Sequence, residues 1–276
     1  LKPGGFLGHP ASYNWYPFAK GLEKPSVEPA TNSRIVVEKR RVKELVPPAV
    51  IFPYIKMGRS ISGFRLNKTK GKFGPFDNQI FVGDYTLSIV MRATTEEVNG
   101  VWQGACYPFR EGLSTGIMHV EFSPQGQLIT GGFRTNAQWP VRGKEPFAIE
   151  RLDWTGSVPF EMQEINIRPD GFVIRFTKPV DPTLASQPGT FEVNTYTHIY
   201  AGFYGSPEVD QATPQVTKTV VSPDGMQVRI YLDKIEEGHI HDFNLAALKS
   251  GDGEHLLHKR AYYTVNEIPK SEKPPE

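Results

Sequence analysis

The chain has 276 residues, 38% of them hydrophobic, and a formal net charge of +1. That length allows one large all-β domain or two smaller ones, whereas a balanced charge without a basic stripe gives no support to a nucleic-acid partner. The 26 glycines and 24 prolines follow no low-complexity period, which favours short strands joined by turns over long helices. No apolar run is long enough to predict a membrane span, and no segment resembles a signal peptide.

Polar residues and prolines fill the segment 21–46, which includes the charge run Glu38–Glu44. We interpret this segment as a solvated connection, with an anion-binding patch as the alternative. The apolar run 49–54 then predicts a short strand, and Gly58 and Gly63 predict a tight loop after it.

Two apolar runs, Gln79–Asp84 and Ser88–Ala93, predict a pair of strands. The segment Gly116–Phe122 alternates with the period of a half-buried strand. The turn Ser123–Gly126 combines a proline with a glycine, so Leu128–Gly131 is expected to return antiparallel. This pattern is typical of a propeller blade, and residues 1–155 are predicted to be the last blades of a partial β-propeller.

Longer strands at regular intervals follow in residues 156–267. The turns Arg168–Gly171 and Ser222–Gly225 each precede a strand with alternating side chains, which predicts two hairpins. About seven strands over roughly 110 residues are typical of an immunoglobulin-like (Ig-like) sandwich, and no helix is required. Residues 268–276 have the proline-rich, charged composition of a linker. With a first residue of Leu1 rather than methionine, we interpret the chain as a piece of a longer protein.

Several runs in the first half carry a family resemblance. The chain resembles the last blades of the glucose/sorbosone dehydrogenase-type β-propellers in four runs: Pro3–Pro10, Gly71–Phe76, Ile80–Asp84 and Ser123–Leu128. The more specific run Val98–Gly112 is similar to a subgroup of large multidomain propeller proteins, called membrane-bound dehydrogenases and often joined to a c-type cytochrome domain. The second half is similar to the Ig-like module of such proteins.

The resemblance implies a six-bladed propeller whose axial pocket holds pyrroloquinoline quinone with calcium. Phe52 is the candidate stacking ring, but Ala49 stands where the family has another aromatic, Thr86 lies near the family's lysine, and Gly116 and Met118 occupy its arginine positions. Losing several charge-assisted bonds would weaken quinone binding by orders of magnitude. The residues therefore disfavour the cofactor that the resemblance implies. Because no Cys-x-x-Cys-His is present, any haem c must belong to another part of the parent chain.

Polar and aromatic residues beside predicted strands and loops are candidate ligand-binding groups. Arg110 and Glu111 lie beside a glycine-flanked loop and are candidates for a polar pocket rim, with a local ion pair as the alternative. The predicted ligand-binding set consists of Asp84, Arg110, Arg134, Asn136 and Trp139.

Histidines and the single cysteine complete the candidates. His239 and His241 lie two residues apart on a predicted strand, a spacing able to hold a metal if His255 or His258 approaches. We favour polar residues at a sandwich edge, and no metal site is predicted. Cys106 is expected to be a small buried residue rather than a nucleophile.

Two functions follow as hypotheses. The first is the C-terminal part of a sugar or alcohol dehydrogenase that passes electrons to a haem domain, which is an inference by analogy of fold. The second is a noncatalytic propeller with an Ig-like module that binds carbohydrate or a protein partner. The resemblance implies a periplasmic or extracellular location and other domains of the parent chain as partners.

Overall fold

Three antiparallel sheets make up the computed structural model, which describes residues 10–21, 23–135, 140–203 and 205–271. With 42% strand and 8% helix, and with no closed sheet, the chain is all-β, as the sequence predicts. The strands are β1 (Ser33–Arg34), β2 (Ile61–Leu66), β3 (Ile80–Asp84), β4 (Ile89–Val98), β5 (Val101–Arg110), β6 (Ile117–Phe122), β7 (Leu128–Phe133), β8 (Phe147–Leu152), β9 (Met162–Arg168), β10 (Gly171–Phe176), β11 (Glu192–Tyr200), β12 (Glu208–Ala212), β13 (Val216–Val221), β14 (Gln227–Leu232), β15 (Ile240–Asn244) and β16 (Arg260–Thr264).

Helices are short. Helix α1 spans Ile35–Arg41 and helix α2 spans Pro182–Ala185, and two 3₁₀ segments cover Pro10–Phe18 and Pro188–Thr190. No helix in the described ranges has the length and hydropathy needed to cross a membrane. Helix α1 lies within the segment predicted to be a solvated connection. Its acidic residue Glu38 is in the first turn and its basic residues are in the last, which complements the helix dipole.

The largest sheet has nine strands in the order β1-β11-β15-β16-β5-β4-β3-β2, with β12 pairing β11. Strand β5 comes from the first half of the chain and β16 from the second, and they pair with Cys106 opposite Tyr262. The predicted boundary between residues 155 and 156 therefore runs through one hydrogen-bonded sheet. Among the described residues of 156–267 there are eight strands, β9 to β16, where the sequence predicts about seven.

Two smaller sheets cover one face of the large sheet. Strand β4 shows this, because Val90 and Val98 point to the same face of a strand. Val98 packs in the core beneath the four-stranded sheet β13-β14-β10-β9, whereas Val90 packs in the core beneath the three-stranded sheet β6-β7-β8. The opposite face holds Cys106 and Tyr262, and partly buried residues of segment 50–52 pack against it.

Local turn chemistry is confirmed at each predicted hairpin. The pairs β3 and β4, β6 and β7, β9 and β10, and β13 and β14 are all antiparallel neighbours. The glycines Gly126 and Gly225 adopt φ values of 94° and 71°, the left-handed region where a side chain would be strained.

Candidate functional site

The turn between β3 and β4 is built around a buried carboxylate. Asp84 is 0% exposed. Its Oδ2 accepts hydrogen bonds from the backbone amides of Arg59 and Ser60 at 2.6 and 2.7 Å, and its Oδ1 accepts one from Leu87 at 2.7 Å. Three backbone donors therefore occupy this carboxylate, which shapes the loop that follows it.

An open cleft of about 470 Å³ lies beside this turn. One wall is formed by the start of β4 and by the loop after β5, and the other by the loop before β8. The lining residues are Leu87, Ser88, Ile89, Glu111, Gly112, Leu113, Ser114, Arg142, Gly143, Lys144 and Glu145. The size is that of a typical small-molecule site.

Hydrogen bonds tie the two walls together. The amide of Gly143 donates to Ser88 Oγ at 2.9 Å, and the amide of Glu145 donates to the carbonyl of Ser114 at 2.9 Å. Thr115 Oγ1 donates to the carbonyl of Glu145 at 2.9 Å. A Cβ on Gly143 would lie 2.5 Å from the carbonyl oxygen of Ser114, so the close approach of the two loops requires glycine. The walls are consequently held in one relative position.

Glu150 on β8 supports the floor of the cleft. Its two carboxylate oxygens accept from the amide and the hydroxyl of Ser114, each at 2.9 Å. A charge-assisted pair of this kind is roughly twice as strong as a neutral one. Glu150 thus fixes the loop after β5, in the first wall, to β8, the strand that follows the second wall.

Four charged side chains line the cleft, two acidic and two basic. Glu111, Arg142, Lys144 and Glu145 are exposed, and none of them forms a side-chain hydrogen bond or ion pair with another described residue. Carboxylates accept and cations donate hydrogen bonds. The cleft therefore offers hydrogen-bond donors and acceptors, and the charges of these four side chains sum to zero.

Two predicted ligand-binding residues lie next to this cleft. Arg110 is exposed and directly precedes Glu111, which the sequence also indicates as a rim residue. Arg134 Nη1 lies 3.4 Å from the carbonyl oxygen of Lys144. Sequence reasoning missed Arg142 and Lys144, although two cations around a glycine are a local signal for a polar loop.

Another predicted ligand-binding residue, Asp84, does not line this cleft. Asp84 holds backbone amides within the turn described above. Asn136 and Trp139 lie outside the described residues.

The positions compared with the quinone-binding enzymes do not fit that cofactor. Phe52 is half-buried and packs against the core on the outer face of the large sheet. Thr86 is buried with its Oγ1 2.7 Å from Ser60 Oγ, and a Cβ on Gly116 would lie 2.6 Å from the Tyr85 ring. These positions present neither a cation nor a free donor to a tricarboxylate.

The two histidines of the predicted pair, His239 and His241, differ in their hydrogen bonding. His239 Nδ1 lies 3.1 Å from Thr195 Oγ1, whereas His241 is 0% exposed and neither ring nitrogen has a hydrogen-bond partner among the described residues. Burial lowers the pKa of His241 to about 3. His258 pairs with Glu161 instead. Within the described ranges, no group of three His, Cys, Asp or Glu residues is arranged to hold a metal.

Cys106 is a buried free cysteine, as the sequence predicts. Burial raises the pKa of its thiol, so the protonated form dominates at neutral pH.

No protein-family model and no curated protein matches the chain. Among solved structures, it is similar to a structure of surface layer protein SbsC, domains 1-6, with a TM-score of 0.31 and 18% identity over 42% of this chain and 15% of that one. It is also similar to a crystal structure of the S-layer protein rSbsC(31-844), with a TM-score of 0.30 and 19% identity over 43% of this chain and 14% of that one. Similarity at this level carries no argument about function.

Proposed function

We propose that this chain is a noncatalytic β-rich module that binds a neutral carbohydrate in the cleft between the loop after β5 and the loop before β8. The observation that carries the proposal is the set of four charged side chains without partners among the described residues, Glu111, Arg142, Lys144 and Glu145, around 470 Å³ of open space. A sugar's hydroxyl groups both donate and accept, so they match a mixed set of carboxylates and cations.

The balance of charge favours a neutral ligand over an anion. Two carboxylates face the same space as two cations, and a carboxylate or phosphate ligand would meet repulsion from Glu111 and Glu145. Apolar contact is available from Leu87, Ile89 and Leu113 in the lining. A site that combines a few polar groups with apolar walls is suited to one face of a sugar ring.

The proposal also includes an assignment of the two halves of the chain to known domain types. We assign β6-β7-β8 to a blade of a dehydrogenase-like propeller protein and residues 156–267 to an Ig-like module that follows it. The resemblance of the turn Ser123–Leu128 and of the run Val98–Gly112 supports the assignment. On this proposal the parent protein is periplasmic or extracellular. The oxidoreductase hypothesis is disfavoured because Thr86, Gly116 and Met118 supply no anion-binding group.

A panel of neutral mono- and oligosaccharides titrated into the chain by calorimetry tests the proposal. We expect at least one sugar to bind with a Kd on the order of 1 mM or below. Arg142→Ala and Glu111→Gln should each weaken that binding at least fivefold, because each removes contacts to the ligand.

Arg65→Ala is the matched control. Arg65 is an exposed residue of β2 that pairs with Glu121 of β6 at 2.7 Å. An exposed pair of this kind contributes little stability. A panel without any binding, or equal losses in the cleft variants and the control, would overturn the proposal.

A further inference from the structure

Strand β8 is an edge strand with an unusual side-chain pattern. It pairs β7 on one side and has no strand partner among the described residues on the other. Its outward-facing residues Phe147 and Ile149 are 76% and 84% exposed. Phe133 lies opposite Phe147 on β7 and is also exposed, which extends the apolar surface across the sheet.

Two other edge strands in the described part of the chain, β12 and β13, carry charges that discourage strand addition. Strand β12 holds Glu208 and Asp210, which pair with Lys56 and Arg34. Strand β13 exposes Lys218. Charged residues on an edge are a common protection against pairing with another chain. On β8 the exposed charge is Arg151, near the end of the strand, whereas Glu150 turns inward to Ser114.

The sequence of β8 is complementary to itself in one antiparallel register. Pairing centred on Ile149 places Ile149 opposite its own copy and Phe147 opposite Arg151 of the second chain. An arginine against an aromatic face is a favourable contact, and aromatic or β-branched cross-strand pairs stabilise a sheet. Arg151 is exposed at 63% and pairs with Asp153 at 2.9 Å, an exposed ion pair that leaves the face of the guanidinium open to this contact.

The two neighbouring registers are less favourable. A shift toward the C-terminus places Glu150 directly opposite Glu150 of the second chain, and like charges in that position are destabilising. The opposite shift places Ala148 opposite its own copy and loses the contact between Phe147 and Arg151 of the second chain. The register centred on Ile149 avoids the pair of Glu150 side chains and keeps Phe147 opposite Arg151, so it is the most favourable of the three.

We infer that this chain forms a symmetric dimer in which the β8 strands of two copies pair antiparallel about Ile149. The result is a continuous six-stranded sheet with three strands from each copy. A two-fold contact of this kind uses both free β8 edges, so it closes and does not propagate into fibres. The cleft residues Lys144 and Glu145 directly precede β8, so the dimer carries two cleft sites and can bind a repeating ligand with avidity.

Sedimentation equilibrium and engineered disulfides test the inference. We expect the wild-type chain to dimerise reversibly as its concentration rises, and Ile149→Lys to weaken the dimer at least tenfold. Val220→Lys is the matched control, since Val220 is 43% exposed on β13, another edge strand. It should leave the dimer unchanged.

Single-cysteine substitutions report the register, because Cys106 is buried and contributes little background. Under mild oxidation Ile149→Cys should form a disulfide-linked dimer, while Val220→Cys should not. Phe147→Cys and Arg151→Cys should cross-link efficiently only when mixed. A wild-type chain that stays monomeric, or binding of β8 only to a different protein, would overturn the inference. Cross-linking at Glu150→Cys instead of Ile149→Cys would overturn the register.

Discussion

The guanidinium carbon of Arg92 lies 4.2 Å from the ring centroid of Tyr107, on the face of the large sheet that both smaller sheets cover. Arg92 is 0% exposed and forms hydrogen bonds with the carbonyl oxygens of Met162 and Gln163 and with Gln79 Oε1. Burial lowers the pKa of Arg92. This arginine joins the first half of the chain to the start of β9, so it stabilises the packing of the four-stranded sheet.

Replacing Arg92 with methionine should destabilise the whole fold. The change removes the arginine donor from the Met162 carbonyl and from Gln79 Oε1, while the Gln163 carbonyl keeps a hydrogen bond from Gln79 Nε2 at 2.7 Å. An unsatisfied buried group costs about 1–3 kcal/mol. We expect the free energy of unfolding to fall by about 3 kcal/mol or more in urea denaturation. Arg65→Met, at an exposed arginine, should change it by under about 1 kcal/mol. Equal stability of the two variants would contradict this role for Arg92.

Replacing Glu150 with alanine should weaken ligand binding in the cleft without unfolding the chain. Both carboxylate oxygens of Glu150 hold Ser114 in the cleft wall, and their loss frees that loop. We expect a several-fold loss of affinity for any sugar that binds, measured by calorimetry, with a cooperative thermal transition retained. Glu97→Ala, at an exposed residue on β4, is the control. An unchanged affinity in Glu150→Ala would argue against the supporting role of this carboxylate.

Replacing His241 with leucine should stabilise the chain most at acidic pH. The pKa of His241 is about 3 in the folded protein and near 6.5 in an unfolded chain, because burial disfavours the charged ring. Between pH 3 and pH 6.5 the unfolded state therefore binds more protons at this histidine than the folded state does. The free energy of unfolding is consequently not reduced by His241 above pH 6.5, and it decreases as the pH falls from 6.5 toward 3. Urea denaturation at pH 4.5 and pH 7.5 measures the difference.

The leucine variant should lose the part of the pH dependence that His241 causes, so its advantage over the wild type should be larger at pH 4.5. Leu257→Gln, at an exposed residue without an ionisable group, should leave the pH dependence as it is. If both variants follow the wild type, His241 is not the acid-sensitive group.

The chain should not bind pyrroloquinoline quinone tightly, with or without calcium. Phe52 contributes stacking alone, worth about 0.5–1.5 kcal/mol beyond its buried area, and Thr86 already lies within hydrogen-bond distance of Ser60. A calorimetric titration should show no saturable heat at micromolar quinone. A calcium-dependent micromolar isotherm would show that residues other than Phe52, Thr86, Gly116 and Met118 form the site.

Sequence patterns predicted the hairpins because their signals are local. The turns Ser123–Gly126 and Ser222–Gly225 combine proline, a polar residue and glycine within four positions, and the strands after them alternate with period two. The same patterns placed β3 next to β4. Helix α1 was missed because its only apolar residues, Ile35 to Val37, lie together at its start and give no helical period.

The sequence by itself determined that the chain is all-β, where the tight turns lie, and that Cys106 is buried, since these depend on side-chain period, turn chemistry and hydrophobicity. Only the tertiary structure decided that β5 pairs with β16, that Arg92 is enclosed between sheets, and that residues 87–89 and 142–145 meet at one cleft. Pairing between strands far apart in the chain leaves no local pattern, because any of several edges offers the same backbone donors and acceptors. The choice among them depends on which faces the whole chain can bury at once.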